Sequence, residues 1–291
     1  LPKDKREPKD SRVSTTGGKK GYELIRKFMS KANEYLNKEG QILLLFSTLT
    51  KKDKVEEIIE EYGFKFKKLG QKKIPLETLF VYRIKRSKFL DELNKLKIKD
   101  IKRYAKGHRG IVYTGIYRKK KVAIKKKGKT RAVNRIKNEI KWLKKLNKKG
   151  IGPKFILGRK NFFVMEFVEG QLIWEFMEDA VKADIKRIIR DVMDQCFTLD
   201  KMNVNKDEMH HPVKHLIINK KVTLIDFERC RFMKKPKNVT QFCQFLTSGH
   251  FSYGLGNKGM RIDKKKVLRA AQRYKEEQTK EKLEDILNEI Q

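Results

Sequence analysis

Apolar positions between residues 21 and 97 switch repeatedly between two periods. Leu24, Ile25, Phe28, Met29, Ala32 and Leu36 recur at helical spacing, and Gly40 stands where a glycine commonly ends a helix. Ile42-Leu43-Leu44-Leu45-Phe46 is a continuous apolar run, which predicts a short strand buried on both faces. Residues 52–62 read as a second helix, and 64–69 and 79–84 as two strands joined by a loop containing Pro75. Phe89, Leu90, Leu93 and Leu96 then mark a short amphipathic helix over 87–97.

From residue 98 the order is strand, glycine turn, strand, basic turn, strand. The strands fall at 101–106, 111–117 and 122–125, with Gly107 and Gly110 in the first turn. Val133, Ile136, Ile140 and Leu143 give a helix over 131–147, with Glu139 at the edge of its apolar stripe. A hairpin of strands 155–158 and 162–167 follows. Helices are expected at 171–179 and 182–202, the second carrying Ile185, Ile188, Ile189, Val192, Cys196 and Leu199 at helical spacing. After a loop at 205–215, residues 216–218 and 222–225 form a small hairpin around Asn219-Lys220-Lys221. Three helices finish the chain, at 238–248, 263–275 and 278–289. Residues 1–20 are basic and rich in Pro, Ser, Thr and Gly, which predicts a flexible arm. The first residue is Leu rather than Met, so the chain is expected to be part of something longer or to carry a start codon read literally.

Composition narrows the class. At 291 residues there is room for one or two domains with real cores. No apolar run approaches the ~20 residues that span a bilayer, and no membrane partner is expected. The charged N-terminus lacks the apolar segment of a signal peptide. Cys196, Cys230 and Cys243 are odd in number and widely spaced, so ordinary thiols in a reducing cytoplasm are expected rather than a zinc or disulfide framework. The net charge of +37, from 73 Lys and Arg against 36 Asp and Glu, attracts polyanions and makes RNA or the ribosome a candidate partner. The lysines are spread over the whole chain, and Lys/Glu-rich chains also suit growth at high temperature. No aromatic RNA-binding motif, zinc finger or helix-turn-helix signature accompanies them.

Chemistry-bearing residues appear in a fixed order. Gly107-His108-Arg109-Gly110-Ile111-Val112-Tyr113 precedes Val122-Ala123-Ile124-Lys125; a basic helix carries Glu139; Leu224-Ile225-Asp226-Phe227-Glu228 comes much later. Each piece alone is weak, but the ordered set on strand, turn, helix and hairpin resembles the protein kinases. It looks closest to the small atypical archaeal kinases, relatives of the RIO kinases and of the kinase subunit of the KEOPS tRNA-modification complex. The resemblance covers about residues 98–291.

That resemblance implies an α+β, bilobal protein-kinase-like domain over 87–291, with an N-lobe at about 98–168 and a C-lobe at about 169–291. It implies ATP and Mg2+ as cofactors, and a Ser/Thr protein substrate or self-phosphorylation. Gly107, Gly110 and Val112 would lie over the phosphates, Lys125 would reach the α/β-phosphates and Glu139 would fix that lysine. The backbone from Glu166 to Val168 would form the adenine hinge, and Asp226 would hold Mg2+. No long activation segment follows Phe227, a shortness the atypical kinases share.

The catalytic loop departs from the family pattern. It reads Asn205-Lys206-Asp207-Glu208-Met209-His210-His211-Pro212-Val213-Lys214-His215-Leu216, without a His-Arg-Asp. The metal-binding asparagine position holds His215, which is expected to touch phosphate or position the loop, since Mg2+ prefers oxygen ligands. Lys214 could balance phosphoryl charge. Asp207 and Glu208 compete for the role of base. Glu208 is favoured because apolar Met209 follows it and because it stands eighteen residues before Asp226, the family separation. The histidines at 210, 211 and 215 could alternatively form a metal site. Glu228 replaces the usual glycine, so one fixed state is expected; its carboxylate either aids the metal or makes an exposed salt bridge to a lysine.

Residues 21–86 resemble the C-terminal half of the HemK-type glutamine methyltransferases. The carrying residues are Gly17-Gly18-Lys19-Lys20-Gly21-Tyr22-Glu23-Leu24-Ile25, the strand at 42–46 followed by Ser47-Thr48-Leu49-Thr50, and the final strand pair. The family's cofactor loop and N/D-P-P-Y motif are missing. A partial Rossmann-like α/β segment without methyltransferase activity is therefore expected. Besides a kinase, the sequence leaves open a nucleotide-binding pseudokinase or ATPase module and a basic nucleic-acid-binding scaffold.

Overall fold

Which face of each strand meets a helix decides how these patterns are used. The computed structural model describes residues 1–3, 8–11, 16–107, 110–128 and 133–290. It is a mixed α+β protein with antiparallel sheets, and it divides into two compact units, Leu1–Lys126 and Lys127–Gln291.

In the first unit, helix α1 (Glu23–Tyr35) leads to strand β1 (Ile42–Ser47). Ser47 closes a capping box with Thr50 over the 3-10 turn that follows, and α2 (Lys52–Glu61) begins beyond it. Strands β2 (Phe64–Ile74) and β3 (Glu77–Arg86) form a long hairpin. The three strands are antiparallel in the order β1-β3-β2, with Phe46 opposite Phe80 and Phe66 opposite Ile84. Val55, Ile58 and Ile59 of α2 are buried, as are Phe46, Phe80, Tyr82 and Ile84 on one face of the sheet. The hairpin runs past the expected ends because its lysine-rich tip needs only ladder hydrogen bonds, not a core; Lys67, Lys68, Lys72 and Lys73 are exposed.

The run 42–46 is not buried on both faces. Strand β1 lies at the sheet edge, and Leu43 and Leu45 are each 63% exposed. The buried face is the one that carries Phe46, so the alternate leucines point outward.

Helix α3 (Lys88–Lys95) is capped by Ser87, whose side chain accepts from the Leu90 N–H. It buries Phe89, Leu90 and Leu93. Strands β4 (Lys99–Lys106), β5 (Gly110–Tyr117) and β6 (Lys120–Lys127) follow, adjacent in that order.

The second unit opens with α4 (Val133–Asn147); the expected start at 131 lies outside the described residues. Strands β7 (Phe155–Gly158) and β8 (Phe162–Glu166) pair antiparallel. Helices α5 (Ile173–Asp179) and α6 (Lys182–Lys201) come next. Four short strands then surround the candidate chemistry: β9 (Val204–Asn205), β10 (Leu216–Ile218), β11 (Val222–Leu224) and β12 (Arg231–Phe232). β10 pairs with β11, and β9 with β12. The chain closes with α7 (Asn238–Leu246), α8 (Gly249–Gly256), α9 (Lys264–Glu276) and α10 (Lys280–Asn288). Helix α8 was not expected; its three glycines have low helix propensity, and it is held by burying Phe251 and Leu255.

The core of this unit centres on α6. Val192, Met193, Cys196 and Leu199 are fully buried in one cluster with Phe242, Leu246, Val267 and Leu283. All three cysteines are buried thiols, and burial pushes Cys230 and Cys243 up to about 12. Among the described residues no helix is long and apolar enough to cross a membrane.

Candidate functional site

Gly107, Gly110, Val112 and Lys125 lie in the first unit. The Gly107 N–H donates to the Gly110 carbonyl at 2.9 Å, closing the turn. A Cβ on Gly110 would stand 2.9 Å from the Lys126 carbonyl oxygen, so that neighbour would have to shift for any side chain. His108 and Arg109, in the same turn, lie outside the described residues. Val112 is half-buried on β5, and half-buried Lys125 follows the buried Val122, Ala123 and Ile124 on β6.

The second unit holds the remaining candidates, and its construction begins at the end of α6. Asp200 is 1% exposed and accepts from the Asn238 N–H (3.1 Å), Asn238 Nδ2 (2.6 Å), the Val239 N–H (3.3 Å) and the Tyr274 hydroxyl (3.0 Å). Burial nevertheless holds the Asp200 pKa above the ordinary carboxylate value. Asn238 also donates to the Val204 carbonyl at 2.6 Å and accepts from the Lys206 N–H at 2.8 Å. Asn205 accepts from the Lys237 N–H at 2.9 Å. Buried polar groups with this many partners fix the loop that leaves β9.

Beyond this anchor the two neighbouring carboxylates part. Asp207 accepts from Asn205 Nδ2 at 2.6 Å and lies 3.5 Å from Arg231. Glu208 pairs with Arg229 and stands 3.4 Å from His215 Nε2. Its φ of +80° is rare for a side chain of this kind. Met209, fully buried, anchors the loop.

Lys206 is also inside, at 1% exposure. Its Nζ donates to the Asp226 carbonyl at 2.9 Å, lies 3.4 Å from His215 Nδ1, and sits 5.4 Å from the centre of the Phe227 ring. The two nitrogens of the His215 ring thus face Lys206 on one side and Glu208 on the other. A connected path therefore runs from Arg229 through Glu208, His215 and Lys206 to the backbone of Asp226.

Asp226 also has positive φ, +63°. One ligand oxygen each from Asp226, Glu139 and Glu228 lies within 4.8 Å of the others. Glu139 is buried on α4, and its neighbour Asn138 donates to the carbonyls of Glu228 (2.9 Å) and Cys230 (3.0 Å). That clamp fixes the segment after Asp226 against α4. Glu228 was expected either beside a metal or in an exposed lysine salt bridge; it is buried rather than exposed, and Arg135 stands 3.5 Å from its carboxylate.

Glu166 is exposed and pairs with Lys154 through both backbone and side chain. Val168 is half-buried in the segment after β8. Gly170, at φ +156°, passes so close to Ile218 that a Cβ would lie 2.4 Å from its carbonyl oxygen. Lys214, His210 and His211 are exposed, whereas His215 faces Lys206 and Glu208, so the three histidines do not converge. Among the described residues the potential metal ligands that gather in threes are Glu139, Asp226 and Glu228.

Sequence reasoning gave no role to Lys206, Asp200, Asn238 or Arg229. Asp200 did leave a signal, as a carboxylate in step with Cys196 on the apolar face of a helix.

No family model matches the chain. A stretch of 76 residues is 28% identical to the uncharacterized protein MJ1211 of Methanocaldococcus jannaschii, covering 26% of this chain and 66% of that protein. In that comparison the chain spans just under two thirds of its relative. Among solved structures it aligns with the Rio2 kinase-ADP/Mg2+-phosphoaspartate complex from Chaetomium thermophilum, at a TM-score of 0.43 and 15% identity over 75% of this chain and 79% of that one.

Proposed function

We propose that this protein is an ATP-dependent kinase of the atypical class, transferring phosphate to Ser or Thr of a protein or of itself. The observation that carries the reading is the carboxylate group of Glu139, Asp226 and Glu228, with Glu208 on a loop tied to Asp226. Oxygen-only donors of this kind suit a small hard cation such as Mg2+. When bound, that cation would neutralise charge on the β- and γ-phosphates. Asp226 would be its main ligand, with Glu228 beside it.

Lys125 binds the α/β-phosphates, and the turn at Gly107 and Gly110 lets backbone N–H groups reach them. Glu166 to Val168 offer the backbone to adenine. Glu208 takes the substrate hydroxyl proton; His215 orients its carboxylate, and Lys214 faces the transferring charge. Asp207, engaged by Asn205 and Arg231, organises the loop. Residues 21–86 belong to the same proposal as an incomplete methyltransferase-like sheet, inactive toward S-adenosylmethionine.

A second reading, a nucleotide-binding pseudokinase or ATPase, rests on Arg229, whose guanidinium occupies one oxygen of Glu208. RNA or ribosome contact is part of the proposal too, supported by a first-unit groove in which Lys38, Lys65, Lys85, Arg86 and Lys95 outnumber Glu39 and Asp91. An assay with ATP labelled at the γ-phosphate separates the readings. Label on protein supports the kinase; label released only as free phosphate, or retained on ATP, overturns it.

A further inference from the structure

A lysine inside a protein core is expensive to desolvate, so its surroundings show what holds it there. Lys206 is 1% exposed and surrounded by three electron-rich groups: the Asp226 carbonyl at 2.9 Å, His215 Nδ1 at 3.4 Å and the face of Phe227 at 5.4 Å. The Asp226 carbonyl takes one ammonium proton, and the face of Phe227 attracts the charge. Burial lowers the Lys206 pKa, while the nearby carboxylates of Asp226, Glu208 and Glu139 act in the opposite direction.

Its backbone end is equally fixed. The Lys206 N–H donates to Asn238 Oδ1, and Asn238 is held by Asp200 on α6. The far end grips a residue that needs gripping. Asp226 sits at φ +63°, a conformation that L residues hold only when their surroundings impose it. The direction of the Asp226 side chain follows from that backbone setting.

We propose that Lys206 is a positioning residue: its ammonium ties the Glu208 loop to the Asp226 backbone and sets the direction in which Asp226 presents its carboxylate to a divalent cation. The proposal rests on the kinase reading of Asp226, and it adds a residue for which the sequence motif gave no role. It acts through Asp226 and not on nucleotide directly.

The test uses the full chain with Mn2+ as the cation probe and ADP as the nucleotide. Mn2+ affinity is read from water-proton relaxation, nucleotide affinity in chelator from calorimetry, and folding from the thermal midpoint. Lys206→Met keeps the apolar stem and removes the donor; Lys206→Gln is a second variant that keeps a shorter, neutral donor. Lys206→Met is expected to weaken Mn2+ by about tenfold or more, the usual effect of losing a group that orients a metal ligand. Lys206→Gln should recover part of that loss. ADP affinity in chelator should stay within about twofold of wild type in both, since neither variant touches nucleotide.

A Lys206→Met protein that folds and binds Mn2+ like wild type overturns the positioning role, and so does a Lys206→Gln protein no better than Met. Should Lys206→Met fail to fold, wild-type Mn2+ affinity in Lys206→Gln would overturn it, and a graded loss there would support it. Wild type that binds no Mn2+ with ADP sinks the kinase reading itself, and this inference with it.

Discussion

Strand β1 and the loop after β9 make opposite use of polarity. On β1, Leu43 and Leu45 face solvent; around the loop, Lys206 and Asp200 are each 1% exposed. Hydrophobicity alone would have exchanged them. The difference teaches that burial follows from what meets a backbone position. The face of β1 that carries Leu43 and Leu45 is not buried, so these leucines stay wet. The loop is met by Asn238, Tyr274, His215 and the Asp226 carbonyl, so its charges are solvated by protein instead of water. If that contrast is right, changes at the buried polar positions cost heavily, and changes at the exposed apolar ones cost little.

The largest effect is expected at Asp226. Asp226→Asn keeps size but removes charge from the carboxylate group, and should reduce labelled phosphate transfer to background with the thermal midpoint retained. Lys125→Ala should do the same. Full transfer in both variants would break the assignment.

Next comes the pair of neighbouring carboxylates. Glu208→Gln should lower turnover by about 10²–10⁴-fold, the range of a general base, with ATP affinity kept. Asp207→Asn should leave turnover near wild type, because its carboxylate serves Asn205 and Arg231. Reversed results would move the base to Asp207; if neither change matters, the pseudokinase reading gains.

Asp200 tests the buried side of the comparison through stability. Asp200→Ala strands donors from Asn238, Val239 and Tyr274, and should cost about 3 kcal/mol or more in urea unfolding. The pH dependence has a definite sign. Burial raises the folded-state pKa above the ordinary 3.8, so the folded protein holds the proton more tightly than the unfolded chain does. This contribution is full below 3.8 and is lost as the pH rises through the raised pKa. The stability of wild type relative to Asp200→Asn should therefore fall as pH rises across that window. A rise would mean that the four hydrogen bonds outweigh burial.

The smallest effect belongs to β1. Leu45→Lys should change unfolding free energy by no more than about 0.5 kcal/mol, whereas Phe46→Ala, one residue on and facing inward, should cost about 3–5 kcal/mol. A large loss at Leu45 would show that the outer face is covered in solution. No heat of binding should appear on titration with S-adenosylmethionine at micromolar concentration; tight binding would overturn the reading of residues 21–86.

Much of the architecture was legible in the chain. Helical stripes placed α1, α4 and α6 within a few residues, because a face three or four residues apart must be buried by something. The glycines at 107 and 110 and the run 122–124 located turn and strand for the same local reasons. The grouping of Glu139 with Asp226 and Glu228 was legible only as an order of motifs, since no local pattern reports a distance across some ninety residues. Tertiary structure alone decided that β1 is an edge, which partners Asp207 and Glu208 each meet, and that Lys206 lies inside. Periodicity states which residues share a face. Whether that face meets a helix, a carbonyl or water depends on segments far away in sequence, and a buried charge is stable only where such segments bring it partners.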